Sequence, residues 1–136
     1  MRSTRCSRPA TAAVELAVLL PFLMFLFVVT VDWARVFYFS VIIENCARQG
    51  ALYEMDPTAQ AYSPYPDVTT AALADAQNLS PQPTVTTASG TDSANNPYVD
   101  VTVTWQFVTV TNYPIIGSGL TLSRTVRTRV APATPQ

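Results

Sequence analysis

The groups in this 136-residue chain that could do chemistry are nine carboxylates, two cysteines and eight arginines, with no histidine and no lysine. Without histidine there is no imidazole for acid–base work, for a nucleophile triad or for a zinc site. The carboxylates are scattered, and no two fall on adjacent strand ends as glycoside hydrolysis would require. Only four glycines are present, and Gly117-Ser118-Gly119 reads as part of a hairpin-type connection rather than a phosphate loop. Asp92, Asn95 and Asn96 lack the spacing of a calcium loop and read as a solvated Asx-rich turn. An enzyme is therefore not expected, and no cofactor or metal is implied. Cys6 and Cys46 lie on opposite sides of an apolar run, which forbids pairing within one chain. That leaves Cys46 as a free core thiol or as a bridge between subunits.

One carboxylate stands apart. Glu15 sits near the start of Ala12 to Val31, twenty residues of which it is the only strongly polar member. At 1.5 Å per residue such a helix is about 30 Å long, the thickness of a hydrocarbon core. An ionisable residue in that setting is costly unless paired and reads as functional by default. Arg2, Arg5 and Arg8 precede the run and place the N-terminus in the cytoplasm by the positive-inside rule. Asp32-Trp33-Ala34 puts a charge where a signal peptidase needs a small residue, so an uncleaved span is expected. Pro21 lies inside the span, where it removes one helix hydrogen bond and favours a kink. That kink is either harmless or a local softening that helps the helix leave lipid for an assembly.

The elements around Glu15 follow from periodicity. Val36, Phe39, Ile43, Cys46, Gly50 and Tyr53 recur every three or four residues, so the helix continues to about Met55 with one apolar face. Glu44 and Arg48 stand four apart on another face, in the favourable order. Cys46 and Gly50 form a small-xxx-small pair that would admit another backbone. Asp56-Pro57 opens a loop with Pro64 and Pro66, and Asp67 is placed to cap a short helix from Val68 to about Leu79. The rest is β-like: Thr84 to Ala88, then Tyr98 to Thr111, then Leu120 to Val130, with Pro132 and Pro135 in a frayed tail. Val99, Val101, Val103, Trp105 and Phe107 alternate with polar residues, which implies an antiparallel sheet burying one side. The expected fold class is α+β and pilin-like: a long N-terminal helix, a short second helix, and a small antiparallel sheet of about three strands.

Charge excludes one class of partner. After the first ten residues five arginines face nine carboxylates, a net charge of −4. Nucleic-acid binders present clustered basic residues, so none is expected as a partner. Arg124, Arg127 and Arg129 form the only downstream cluster and are accounted for by a solvated strand edge.

Together, Ala12-Ala13-Val14-Glu15-Leu16-Ala17, Leu19-Leu20-Pro21, Asp32-Trp33-Ala34-Arg35 and Asn45-Cys46-Ala47-Arg48-Gln49-Gly50-Ala51 resemble the TadE-like family of pseudopilins. That family belongs to the tight-adherence (Tad, or Flp) type IV pilus systems of bacteria. The resemblance covers roughly residues 10 to 52 and makes Asp32, Arg35, Asn45, Arg48 and Gly50 family-signature positions. It implies a prepilin whose basic leader, 1–10, is removed by a membrane prepilin peptidase. The family's glutamate falls at position +5 of the mature chain, which sets the cut between Ala10 and Thr11. Glycine is the usual residue before the cut, so Ala10 departs from the pattern. Asp32 and Cys46 stand where glutamate and alanine are more common.

The resemblance implies a leader at 1–10, a transmembrane helix at 11–31, and a periplasmic α+β domain at 32–136 packed on the continuing helix at 32–55. Its partners would be other pilins or pseudopilins, the inner-membrane assembly platform, the prepilin peptidase and the lipid bilayer. In that setting the Glu15 carboxylate of one subunit pairs with the free Thr11 ammonium of the next. An unpaired carboxylate at the bilayer centre costs ~3 kcal/mol, a penalty that favours assembly; alternatively Glu15 snorkels to the cytoplasmic headgroups. The expected function is a membrane-anchored minor pilin contributing to pilus assembly and surface adhesion. The alternative is a membrane-tethered periplasmic adaptor that never enters a filament, with Tyr113-Pro114-Ile115-Ile116 as its contact loop.

Overall fold

The computed structural model describes residues 8–113 and 117–131, with the backbone alone for 8–10, 111–113 and 117–118. The order is α1 (Arg8–Met55), α2 (Pro57–Gln60), α3 (Val68–Ala72), β1 (Thr84–Thr91), β2 (Pro97–Tyr113) and β3 (Gly117–Arg129). A long N-terminal helix, short helices and a three-stranded antiparallel sheet make this the α+β class expected from the sequence. The chain divides into two compact units, Met1–Arg35 and Val36–Gln136, with the boundary inside α1.

In the first unit, α1 stays helical through Pro21. Its apolar side chains are exposed on every side: Val18 at 72%, Phe27 at 65% and Leu16 at 57%. Such a surface in water would be a large liability. The Thr30 hydroxyl donates to the Leu26 carbonyl at 2.8 Å, which satisfies it within the helix.

The second unit has its own core. The sheet order is β1-β2-β3, and β1 pairs with β2 without a break from Thr84↔Thr104 to Thr91↔Pro97. Along β2 the period of two sends Val99, Val101, Val103, Trp105 and Phe107 inward, and all five are buried. Val103, Trp105 and Phe107 meet Ile43, Cys46 and Ala47 of α1, Ala76 and Leu79 of the following turns, and Leu122 of β3, while Val99 and Val101 cluster with Ala51 of α1. Phe39 completes an aromatic cluster, its ring centroid 4.9 Å from that of Trp105 and 5.7 Å from that of Phe107. The Trp105 indole N–H donates to the Pro81 carbonyl at 2.6 Å, so a large ring is buried without stranding its one polar atom.

Gly50 shows why a helix interior accepts its weakest residue but proline. A Cβ there would stand 2.9 Å from Val101 Cγ1 and 3.1 Å from Ala72 Cβ. The small-residue gap thus admits a strand and the short helix α3. Cys46 is fully buried and free.

Three boundaries differ from expectation, each for a local reason. Asp56 ends α1 as expected but also starts α2, its carboxylate accepting from Thr58 N at 2.8 Å and Ala59 N at 3.2 Å. Asp67 caps α3, accepting from Thr70 N at 2.6 Å, yet α3 stops at Ala72 rather than near Leu79. Beyond it the chain tightens into four-residue turns, Ala76 N to Leu73 O and Leu79 N to Ala76 O, both 3.0 Å. Those turns keep Ala76 and Leu79 on the apolar side, which is what the periodicity registered. The strands run longer than expected, because β1 reaches Thr91 and β3 starts at Gly117, inside the stretch read as a connection. The turn between β1 and β2 is Asx-built: Asp92 Oδ1 accepts from Ala94 N and Asn96 N, and Asn95 takes φ 61°. Pro114, Ile115 and Ile116 of the expected contact loop, Cys6, and the tail from Pro132 lie outside the described residues.

Candidate functional site

The site begins with Glu15 on α1, among the exposed side chains of Val14, Leu16, Val18 and Leu19. It makes no hydrogen bond or ion pair with the described residues. An 18-residue window of this helix has mean hydropathy 2.6, so α1 is long and apolar enough to cross a membrane. Thr11 is exposed one turn earlier, and Ala10 is described by its helical backbone alone. A carboxylate on such a surface can receive a cation from outside the chain. It cannot be satisfied by its own helix, since no cation lies three or four residues away.

At the other end of the span the signature residues behave differently. Asp32 is buried, and Arg35 Nη1 lies 3.2 Å from its Oδ1, one helical turn on. A buried carboxylate requires such pairing. Glu44 and Arg48 form the ion pair their spacing predicts, Asn45 is exposed beside them, and Gly50 lies under Val101. The signature set therefore divides along α1 into a pair at Asp32 and Arg35, the exposed Asn45 and Arg48, and a packing position at Gly50.

The arginines of β3 do not form one cluster. Arg127 and Arg129 stand on the outer face, and Arg124 stands on the inner one opposite Val103. Arg127 grips Asp100 with two hydrogen bonds of 2.7 Å, its guanidinium carbon 3.9 Å from the centre of the Tyr98 ring. Tyr98 lies across Gly90, where a Cβ would come 2.7 Å from the phenol oxygen, so that glycine makes room for the ring. Arg129 reaches Asp92 at 3.2 Å. Hydrogen bonds from Arg127 hold the Asp100 carboxyl below the usual carboxylate range, and the Asn96 and Thr70 backbone N–H groups do the same for Asp92 and Asp67. Arg124 donates to the Ser40 hydroxyl at 2.6 Å across 84 residues of sequence. No periodic signal marks that contact, since it depends on which sheet edge lies beside α1.

A cleft of about 310 Å³ beside α2 is lined by Gln49, Leu52, Tyr53, Gln60, Ser63 and Tyr65 and contains no carboxylate. Among the described residues no three of histidine, cysteine, aspartate and glutamate gather as a metal site would require.

No curated protein and no solved structure matches this chain. A family model does match it, described as TadE-like protein, over residues 10–52. Those residues run from the helical turn before Thr11 to two residues past Gly50, so the match takes in Glu15 and every signature position. Over that stretch the chain is similar to the TadE-like family, the one that its motifs resemble.

Proposed function

We propose that this chain is a single-pass membrane pseudopilin, a minor pilin that contributes to assembling a Tad (Flp) pilus and to the surface adhesion such a pilus serves. The observation that carries the reading is the coincidence of three features on one helix. The TadE-like match, the membrane-length apolar surface and the exposed Glu15 all fall within residues 10–52. In this reading residues 1–10 are a leader, the helix spans the inner membrane with its N-terminus in the cytoplasm, and residues 32–136 form a periplasmic domain. Prepilin peptidase cuts between Ala10 and Thr11, and the new ammonium of one subunit neutralises Glu15 of its neighbour. Further partners are other pilins and the assembly platform, with no catalysis and no nucleic acid involved.

The test is the N-terminus of the membrane-extracted protein, read by mass spectrometry in strains with and without the peptidase. A start at Thr11 only where the peptidase is present is the expected result. An intact Met1 in both strains would sink the pilin reading and leave the tethered adaptor.

A further inference from the structure

Contiguous exposed apolar side chains mark a contact surface, and in the second unit they gather at one end. On α1 these are Phe37, Tyr38 and Val41. Farther along, the same helix face carries Asn45, Arg48 and Gln49, and the next exposed apolar residue, Leu52, lines the cleft beside α2. The outer face of β2 makes the converse change. It carries Asp100, Thr102, Thr104 and Gln106, and then Val108 and Val110, exposed at 61% and 70%.

The two changes fall at about the same height. Gly50 lies under Val101, whereas Phe39 packs on Trp105 and Phe107, so β2 runs back along α1 toward Val36. Val108 and Val110 therefore stand with Phe37, Tyr38 and Val41 at the end where α1 enters the unit. One cation marks the same level. Arg124 is fixed by the Ser40 hydroxyl at 2.6 Å and the Ser123 carbonyl at 3.0 Å. Arg48, Arg127 and Arg129 each pair with a carboxylate, and among the described residues Arg124 has none. An exposed arginine beside an apolar belt suits the phosphate of a lipid headgroup.

Helix length selects the occupant. A bilayer with its headgroups is about 40–45 Å thick, which is about 27–30 residues of helix. Counted from Thr11, that thickness ends at about residues 38 to 41, inside the second unit and at the apolar belt. A single polar-to-apolar line across two elements far apart in sequence is what a bilayer surface imposes, and a tyrosine such as Tyr38 suits that level. We propose that this end of the second unit is itself a lipid contact, with Phe37, Tyr38 and Val41 of α1 and Val108 and Val110 of β2 seated in the headgroup layer. The contact rests on α1 being a membrane span, as the proposed function has it, and not on entry into a pilus.

The test uses full-length chain, with Cys6→Ser and Cys46→Ala as background, in vesicles of equal parts phosphatidylcholine and phosphatidylglycerol. Single cysteines made by Val18→Cys, Val41→Cys, Val108→Cys and Thr86→Cys carry a nitrobenzoxadiazole dye. All four positions are exposed, so the labels leave the fold intact, which circular dichroism checks. The quenchers are lipids bearing a nitroxide at the headgroup or midway along the tail. The Val18 label loses fluorescence to the tail nitroxide, the Val41 and Val108 labels lose it to the headgroup nitroxide, and the Thr86 label keeps it with both. An unquenched Val18 label would defeat the membrane reading itself. With Val18 quenched, an unquenched label at Val41 or Val108 would overturn the lipid contact alone; if that label were also blue-shifted, protein such as a second copy would be the cover. Quenching at Thr86 would overturn it too, since no line would then divide the unit.

Discussion

At the residue scale, Glu15 and three of the aspartates of the second unit show opposite uses of a carboxylate. Asp67, Asp92 and Asp100 are held by donors of their own chain, and folding therefore favours their ionised form. The stability they contribute is complete above the ordinary carboxylate value of 3.8 and is lost as pH falls through the lower native values. Unfolding midpoints should stay flat from pH 7 to about 5 and fall below about pH 4. Asp92→Asn with Asp100→Asn should flatten that acid limb; an unchanged limb would mean other groups control it. Glu15 has no donor among the described residues, and the proposed function gives it the Thr11 ammonium of a neighbouring subunit. Glu15→Gln keeps the size and hydrogen-bonding capacity but removes the charge. Membrane insertion should persist, while incorporation into sheared pili, scored by immunoblot, should be lost. Normal incorporation would eliminate the pairing with Thr11.

At the scale of elements, the packing of α1 beyond Arg35 rests on residues with little side chain. Gly50→Ala sets two effects against each other. Helix propensity would improve by about 1 kcal/mol, and the new methyl would press on the stiff, buried Val101 at 2.9 Å. Overpacking costs roughly 1–3 kcal/mol, so the clash wins and the variant should be destabilised by up to about 2 kcal/mol in urea melts. A more stable variant would mean that the strand yields freely. Much of this packing was legible beforehand. Val36, Phe39, Ile43, Cys46, Gly50 and Tyr53 are placed on one face by spacing alone; α1 packs the first five against the sheet, and Tyr53 lines the cleft beside α2. The length of α3 was not legible, because four-residue turns present Ala76 and Leu79 to the core as a helix would.

At the scale of the whole molecule, the core is assembled entirely from Val36 onward, from α1, the turns before β1, and the sheet. A chain lacking residues 1–35 should therefore fold without detergent and give a cooperative melt by circular dichroism. In that chain Phe107→Ala, at a position with no exposure, should cost about 4 kcal/mol. Failure to fold would show that the first unit supplies stability as well as an anchor.

The sequence by itself determined the span, its awkward carboxylate, the alternating strand and the family resemblance. Each of these is written in spacing or composition along a continuous stretch of chain. Only the tertiary structure decided that Arg124 leaves its neighbours Arg127 and Arg129 to bind Ser40 and that Gly90 yields its space to Tyr98. Those facts depend on strand order and register, which bring together residues far apart in sequence, and no local pattern encodes them. Glu15 lies between the two: its position is plain in the sequence, and the proposed function has a second subunit neutralise it.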